Sequence, residues 1–85
     1  MKEVKARIRA FLRANVLKAP VRDDESFWET GAIDSLGILQ VVLFLESEFQ
    51  IRVPGKEINS KSFESIDAVA AYVAKRVRAS PRGRA

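Results

Sequence analysis

The sequence predicts an all-α protein, a bundle of three main helices and one short helix with a long loop between the first two main helices. Three observations support this fold class. Apolar residues recur at helical spacing in three separate segments. No alternation of apolar and polar residues is long enough to indicate a strand. The chain has 85 residues, of which 47% are hydrophobic, and this is enough for one core and one domain.

The first predicted helix extends from Lys2 to Val16. Its apolar face is formed by four residues at helical spacing, Val4, Ile8, Phe11 and Leu12. Another face carries like charges four residues apart, at Lys5, Arg9 and Arg13. Like charges at this spacing mildly destabilise a helix. We interpret them as a solvated basic face, and the alternative is a partner of opposite charge.

The predicted loop extends from Leu17 to Asp34 and shows no clear period. Loops of this length are uncommon in a compact domain unless they serve a function. Phe27 and Trp28 are expected to pin the loop to the core, with Phe27 the more buried of the two. Contact with a ligand or partner is the alternative for these two aromatic residues.

The second main helix begins at the Asp34-Ser35 step and ends near Phe49. Asp34 suits the N-cap position, since its carboxylate can accept hydrogen bonds from the free amides of the first turn. The Pro54-Gly55 pair cannot continue a helix. A short helix is predicted from Lys56 to Lys61, and Phe63 is predicted to plug the core.

The last helix is predicted from Ile66 to Arg78, with Ser65 as its N-cap. Its inward stripe is expected to contain Ile66, Val69, Ala70, Val73 and Val77. Residues 1–78 form the predicted folded domain. Residues 79–85 form a basic tail with little to bury, and we expect it to be disordered.

The second main helix has apolar residues on two faces. On a helical wheel, one stripe forms an ordinary core face with Ile38, Val41, Val42, Leu45 and Phe49. A second stripe contains Leu36, Leu39 and Leu43 and lies nearest to Ser35. It indicates either a helix buried on two sides or an exposed patch that binds partner proteins. The polar neighbours Gln40 and Ser47 favour the partner surface, with these two residues in its rim.

The composition excludes several functional classes. The chain has no cysteine and no histidine, so neither a thiolate nucleophile nor a Ser-His-Asp site can be built, and no metal site is expected. The net charge is +4, but residues 23–49 carry seven Asp and Glu residues and no Lys or Arg. This acidic middle argues against nucleic-acid binding. Without a membrane span or a signal-peptide pattern, we expect a soluble, cytoplasmic protein.

The segment from Gly31 to Leu36, Gly-Ala-Ile-Asp-Ser-Leu, resembles the prosthetic-group site of acyl carrier proteins. The bare tripeptide Asp34-Ser35-Leu36 is weak evidence, because a serine at a helix start is usually a capping residue. The resemblance continues through Glu46-Ser47-Glu48-Phe49, Val53-Pro54 and Ser65-Ile66 to the closing helix. It covers about residues 4–77 in the same order and spacing, and it therefore implies an acyl-carrier-like bundle.

The resemblance implies a function for Ser35. In this family a separate phosphopantetheinyl transferase moves 4′-phosphopantetheine from coenzyme A onto the serine hydroxyl. The terminal thiol of the arm then carries acyl groups as thioesters, and Asp34 and Leu36 are the motif neighbours. Partner enzymes that activate or transfer acyl groups would meet a surface containing Leu36, Leu39, Gln40, Leu43 and Ser47. The protein itself would be a monomer without catalytic activity.

The charge pattern departs from that of fatty-acid carriers. Gln40 and Ser47 stand where those carriers often have acidic residues, and both ends of this chain are basic. We therefore expect a carrier in a specialised lipid or secondary-metabolite pathway. An aminoacyl or peptidyl carrier, or an adaptor that keeps the fold without a prosthetic group, is the alternative. A nucleic-acid binder that uses Lys5, Arg9, Arg13 and the tail ranks below these.

Overall fold

A computed structural model gives the architecture of residues 2–79, and side-chain burial is described for residues 3–77. Four α-helices and one turn of 3₁₀ helix follow one another along the chain. Their bounds are α1 Lys2–Asn15, α2 Phe27–Thr30, α3 Ser35–Phe49, the 3₁₀ turn Gly55–Glu57 and α4 Ile66–Ala79. Residues 2–79 contain no strand. The predicted all-α class is confirmed.

The core lies between the three long helices. α1 packs against α4, and α3 packs against α4 as well. Each long helix contributes side chains that are at most 1% exposed, namely Ile8 and Leu12 of α1, Val41 and Leu45 of α3, and Ile66, Val69 and Val73 of α4. Phe11 and Phe44 stack at the edge of this core, with ring centroids 4.0 Å apart. The predicted core face of α3 is confirmed, although Phe49 is only partly buried.

Two phenylalanines from the connections complete the core. Phe27 and Phe63 are both fully buried, as predicted, whereas Trp28 is 40% exposed. The amide of Phe27 also donates to the carbonyl of Glu64 at 2.7 Å. The loop before α3 is therefore fixed to the loop before α4 by a side chain and by a backbone hydrogen bond.

The prediction of an unbroken loop from Leu17 to Asp34 is wrong at α2. The Ser26 hydroxyl caps this single turn by accepting from the amides of Trp28 and Glu29, at 3.1 and 3.2 Å. Gly31 ends the turn in the left-handed conformation, with φ +71°. A helix of four residues is too short to show a period of 3.6, so the pattern of apolar residues could not reveal it.

The short helix predicted from Lys56 to Lys61 is also wrong in type and extent. The 3₁₀ turn starts at Gly55, directly after Pro54, whose carbonyl accepts from the amide of Glu57 at 2.9 Å. The Asn59 side chain then accepts from the amides of Lys61 and Ser62, at 3.0 and 2.8 Å. This local side-chain bonding competes with helix formation and converts the segment into turns.

The basic face of α1 meets acidic residues of the same chain. Arg9 donates to both carboxylate oxygens of Asp23, at 3.1 and 2.7 Å, and Lys5 lies 2.7 Å from Asp67. The Arg9 hydrogen bonds lower the pKa of Asp23, and the hydrogen bond to Asp67 raises the pKa of Lys5. The interpretation as a solvated face is therefore wrong for Lys5 and Arg9, because acidic residues in the loop and at the start of α4 pair with them.

α4 begins as predicted, because the Ser65 hydroxyl accepts from the amide of Ala68 at 3.1 Å. The inward stripe is confirmed as far as Val73, but Val77 is 42% exposed and the prediction for it is wrong. Val77 lies one turn beyond Val73, and by that turn the helix has passed the core. The helix includes Ala79, which was predicted to start the tail, and residues 80–85 lie outside the described residues.

Replacing Phe27 by Ala should lower the free energy of unfolding by about 3–5 kcal/mol, because it leaves a cavity in the core. Trp28→Ala is the matched control and should cost clearly less, since Trp28 is partly in solvent. Urea denaturation followed by circular dichroism measures both losses. Equal losses would contradict the assignment of Phe27 as the anchor. If Phe27→Ala does not fold, Phe27→Leu provides the same comparison.

Candidate functional site

Ser35 is the first residue of α3, and it is exposed. Asp34 precedes it in an extended conformation and caps the helix, as predicted. One carboxylate oxygen of Asp34 accepts from the amide of Gly37 at 2.8 Å. The cap fixes the direction in which the chain enters the helix, and it thereby fixes the position of Ser35.

The second carboxylate oxygen of Asp34 binds a lysine from the long loop. The ammonium of Lys18 lies 2.9 Å from Asp34 Oδ2, and the amide of Lys18 donates to the carbonyl of Ala32 at 2.8 Å. The hydrogen bond from Lys18 lowers the pKa of Asp34, and the amide of Gly37 lowers it further. Lys18 was not among the predicted site residues, because nothing in a lone loop lysine marks it as the partner of a residue sixteen positions away.

Gly37 allows the loop to approach the helix closely. A Cβ atom at this position would lie 2.9 Å from Cγ1 of Val16 and 3.3 Å from Cγ1 of Ile33. A side chain at this position would therefore force the Val16 side chain to shift and would crowd that of Ile33. The sequence analysis passed over Gly37, although a glycine inside a helical pattern is itself a sign of close packing.

An apolar cavity of about 420 Å³ opens beside Ser35. Trp28 forms one wall, and its indole NH donates to the carbonyl of Ser60 at 3.2 Å, which ties α2 to the turn before Phe63. The lining residues carry no charge, and they are Trp28, Ser35, Ile38, Leu39, Ile58, Asn59, Ser60 and Phe63. The sequence analysis did not foresee this cavity, because three separate segments build it.

The second apolar stripe of α3 is exposed. Leu36, Leu39 and Leu43 have 72%, 55% and 66% of their surface in solvent, and we call these three residues the leucine ridge. Burial of α3 on two sides is therefore excluded, since the ridge is exposed, and partner binding by the ridge stays a prediction. The ridge begins at the residue that follows Ser35, and Leu39 also lines the cavity.

Two grooves follow the leucine ridge along α3. One groove joins the ridge to the Lys18–Asp34 pair and to Val16. The other contains Gln40 and Ser47 and reaches Phe11 and Asn15 of α1. The five predicted partner-surface residues thus lie on one continuous exposed side of α3.

Curated relatives of the chain were found among bacterial carrier proteins. A D-alanyl carrier protein of Leuconostoc citreum is 36% identical over 50 residues, which cover 59% of this chain and 64% of the relative. The D-alanyl carrier proteins of Lacticaseibacillus rhamnosus and Streptococcus uberis are 34% and 30% identical, over 59% and 54% of this chain and 62% and 58% of their own lengths. This chain is similar to D-alanyl carrier proteins.

The resemblance to carrier proteins that residues 31–36 and the surrounding framework indicated is therefore confirmed. The match spans just under two thirds of the length of these relatives. No family model matches the chain. Among residues 2–79, no helix has both the length and the apolar character needed to cross a bilayer.

The surroundings of Ser35 suit a passive acceptor. The carboxylate of Asp34 is already bound by Lys18 and by the amide of Gly37, so it is poorly placed to take a proton from the Ser35 hydroxyl. The sequence offers no histidine for that task. The site presents an exposed hydroxyl at a fixed helix start.

The ion pair and cap at Asp34 should make the stability of the fold depend on pH. The pKa of Asp34 is lowered in the folded state, so its contribution is present above the pKa of the unfolded chain, about 3.9, and is lost as the pH falls through the folded-state value. Asp34→Asn retains a capping oxygen but removes the charge. Wild type should therefore be more stable than this variant at neutral pH, and the difference should shrink below about pH 4.

Urea denaturation of both proteins at neutral and acidic pH measures this difference. Asp24→Asn is the matched control, because Asp24 is exposed and has only a 3.8 Å contact with Arg22. The free energy of unfolding of this control should stay close to that of wild type at both pH values. A difference between wild type and Asp34→Asn that does not change with pH would show that the ionised carboxylate contributes nothing.

Proposed function

We propose that this protein is an acyl carrier protein that bears 4′-phosphopantetheine on Ser35. One observation carries the proposal: an exposed serine stands at the capped start of α3, with an apolar cavity on one side and the leucine ridge on the other. The similarity to D-alanyl carrier proteins supports a carrier role.

The attachment chemistry fits this position. The oxygen of Ser35 forms a bond to the phosphorus of coenzyme A that carries the pantetheine arm. The P–O bond within the pyrophosphate breaks, adenosine 3′,5′-bisphosphate leaves with the bonding electron pair, and a base of the separate transferase takes the hydroxyl proton. The resulting phosphodiester is an anion at the positive end of the α3 dipole, near amides that have no partner within the helix. This environment favours the product without any activation of Ser35 by its own chain.

The cavity beside Ser35 favours an uncharged acyl cargo. Its volume is within the usual range of small-ligand sites, and its lining contains no carboxylate that could pair with an ammonium group. An apolar acyl chain gains free energy by leaving water for such a cavity, whereas a buried ammonium without a partner would lose it. We propose that partner enzymes load acyl groups and that the cavity shelters them.

An aminoacyl cargo is the second candidate, and the relatives favour it. All three relatives described above are named for D-alanyl groups, and none is named for a fatty acid. A small aminoacyl group could remain on the arm in solvent and would not need the cavity. In either case the pathway would be a specialised one, and the carrier would act as a cytoplasmic monomer.

The attachment site can be tested by intact mass spectrometry. Incubation with coenzyme A and a broad-specificity phosphopantetheinyl transferase should add one arm to the wild type, and Ser35→Ala should remain unmodified. Ser26→Ala is the matched control, because Ser26 also stands at a helix start, and it should accept the arm. An unmodified wild type, with a known carrier modified in the same reaction, would refute the proposal. Partner binding that persists in Ser35→Ala would then favour an adaptor.

The nature of the cargo can be tested with arms that carry different groups. Hexanoyl and D-alanyl derivatives of coenzyme A supply the loaded arms, and the single tryptophan, Trp28, reports on the cavity through its fluorescence. The hexanoyl form should change the emission and raise Tm relative to the unloaded arm, because the chain binds only the folded state. The D-alanyl form should change neither. No change in either loaded form would remove the role assigned to the cavity and would favour the aminoacyl candidate.

A further inference from the structure

The leucine ridge lies within an unusually neutral part of the surface. From Ser35 to Leu45 the sequence contains no charged residue. The two grooves beside the ridge are lined by apolar and uncharged polar residues, apart from Lys18 and Asp34. These two residues neutralise each other at 2.9 Å, with about half of each side chain still in solvent.

We propose that Lys18 acts as a specificity-determining residue that shields Asp34, so that the arm-installing transferase docks on the leucine ridge without an ion pair. This inference rests on the proposed function, because it concerns the enzyme that modifies Ser35. The docking face of that enzyme is apolar and carries little charge where it covers α3.

The position of Ser35 determines which surface the transferase covers. Leu36 follows Ser35 directly, and Leu39 lies one turn further on the same side. An enzyme that reaches the Ser35 hydroxyl must therefore cover the start of the ridge. The three leucines lose exposed apolar surface when they are covered, and this burial contributes favourable free energy to binding. Unlike the attraction of ion pairs, that contribution is not screened by salt.

Lys18 decides whether Asp34 takes part in that contact. With Lys18 in place, a cation on the partner would have to displace an existing ion pair before it could reach the carboxylate. With Lys18 removed, a free carboxylate stands next to Ser35 and attracts partner cations through the solvent, and added salt screens this attraction. The residue thus directs recognition towards the leucines and away from charge.

The experiment measures kcat/KM for arm addition by a broad-specificity phosphopantetheinyl transferase at about 0.05 M and about 0.5 M NaCl. The kcat/KM of the wild type should differ by less than about twofold between the two salt concentrations. The kcat/KM of Lys18→Gln should fall with added salt at least about twice as steeply as the kcat/KM of Lys75→Gln. Lys75→Gln removes the same charge from an exposed site outside both grooves.

A second variant tests the ridge itself. Leu43→Ala should lower kcat/KM by at least about fivefold at both salt concentrations. Leu43 lines both grooves but not the cavity, so its loss does not disturb the cargo site. Val77→Ala is the matched control, because Val77 is a partly exposed apolar residue on α4, and it should leave the rate unchanged. Circular dichroism confirms that each variant is folded.

Several outcomes would overturn the inference. A wild-type rate that falls by more than about twofold with salt would show ion pairs at the interface. A salt dependence of Lys18→Gln equal to that of Lys75→Gln would contradict the role of Lys18 as a shield of Asp34. A kcat/KM of Leu43→Ala close to that of Val77→Ala would contradict docking on the leucine ridge. A dimer in sedimentation equilibrium that Leu43→Ala dissociates would assign the ridge to a second copy of the chain. Failure of the proposed function differs from all of these, since no arm would then be added at any salt concentration.

Discussion

The site depends on the way in which Asp34 distributes its two carboxylate oxygens. One oxygen holds the first turn of α3 through the amide of Gly37, and the other holds the long loop through Lys18. The same residue therefore sets where the helix starts and where the loop ends. Both contacts fix the position of Ser35. They also position the cavity that Ser35 lines and the leucine ridge that begins at the next residue.

The charge asymmetry of the chain is partly satisfied within the fold. The basic face of α1 and the acidic residues that follow it in sequence attract each other. Arg9, for example, donates to the carboxylate of Asp23 at 2.7 Å. The exposed residues of α3 carry no charge, and they are Ser35, Leu36, Leu39, Gln40, Leu43 and Ser47. A partner that binds this surface would depend on shape and burial more than on charge.

Features encoded locally could be predicted from the sequence, and features built by distant segments could not. The cap at Asp34, the start of α3 and the second apolar stripe of Leu36, Leu39 and Leu43 follow from neighbouring residues and helical geometry, whereas the exposure of that stripe does not. The Lys18–Asp34 pair and the cavity wall formed by Trp28 depend on how separate loops fold together. The turns around Asn59 were not predicted for another reason. The Asn59 side chain accepts hydrogen bonds from nearby backbone amides and thereby replaces the helical hydrogen bonds.

The backbone contacts between the long loop and the start of α4 have a consequence for the dynamics of the molecule. The amide of Phe27 donates to Glu64, and the amide of Asp67 donates to Asp23 at 2.9 Å. Two stretches that are far apart in sequence therefore share hydrogen bonds, so neither can open without breaking bonds of the other. They should exchange their amide protons as one cooperative unit, and an insertion in the loop would loosen the first turn of a helix forty residues further along the chain.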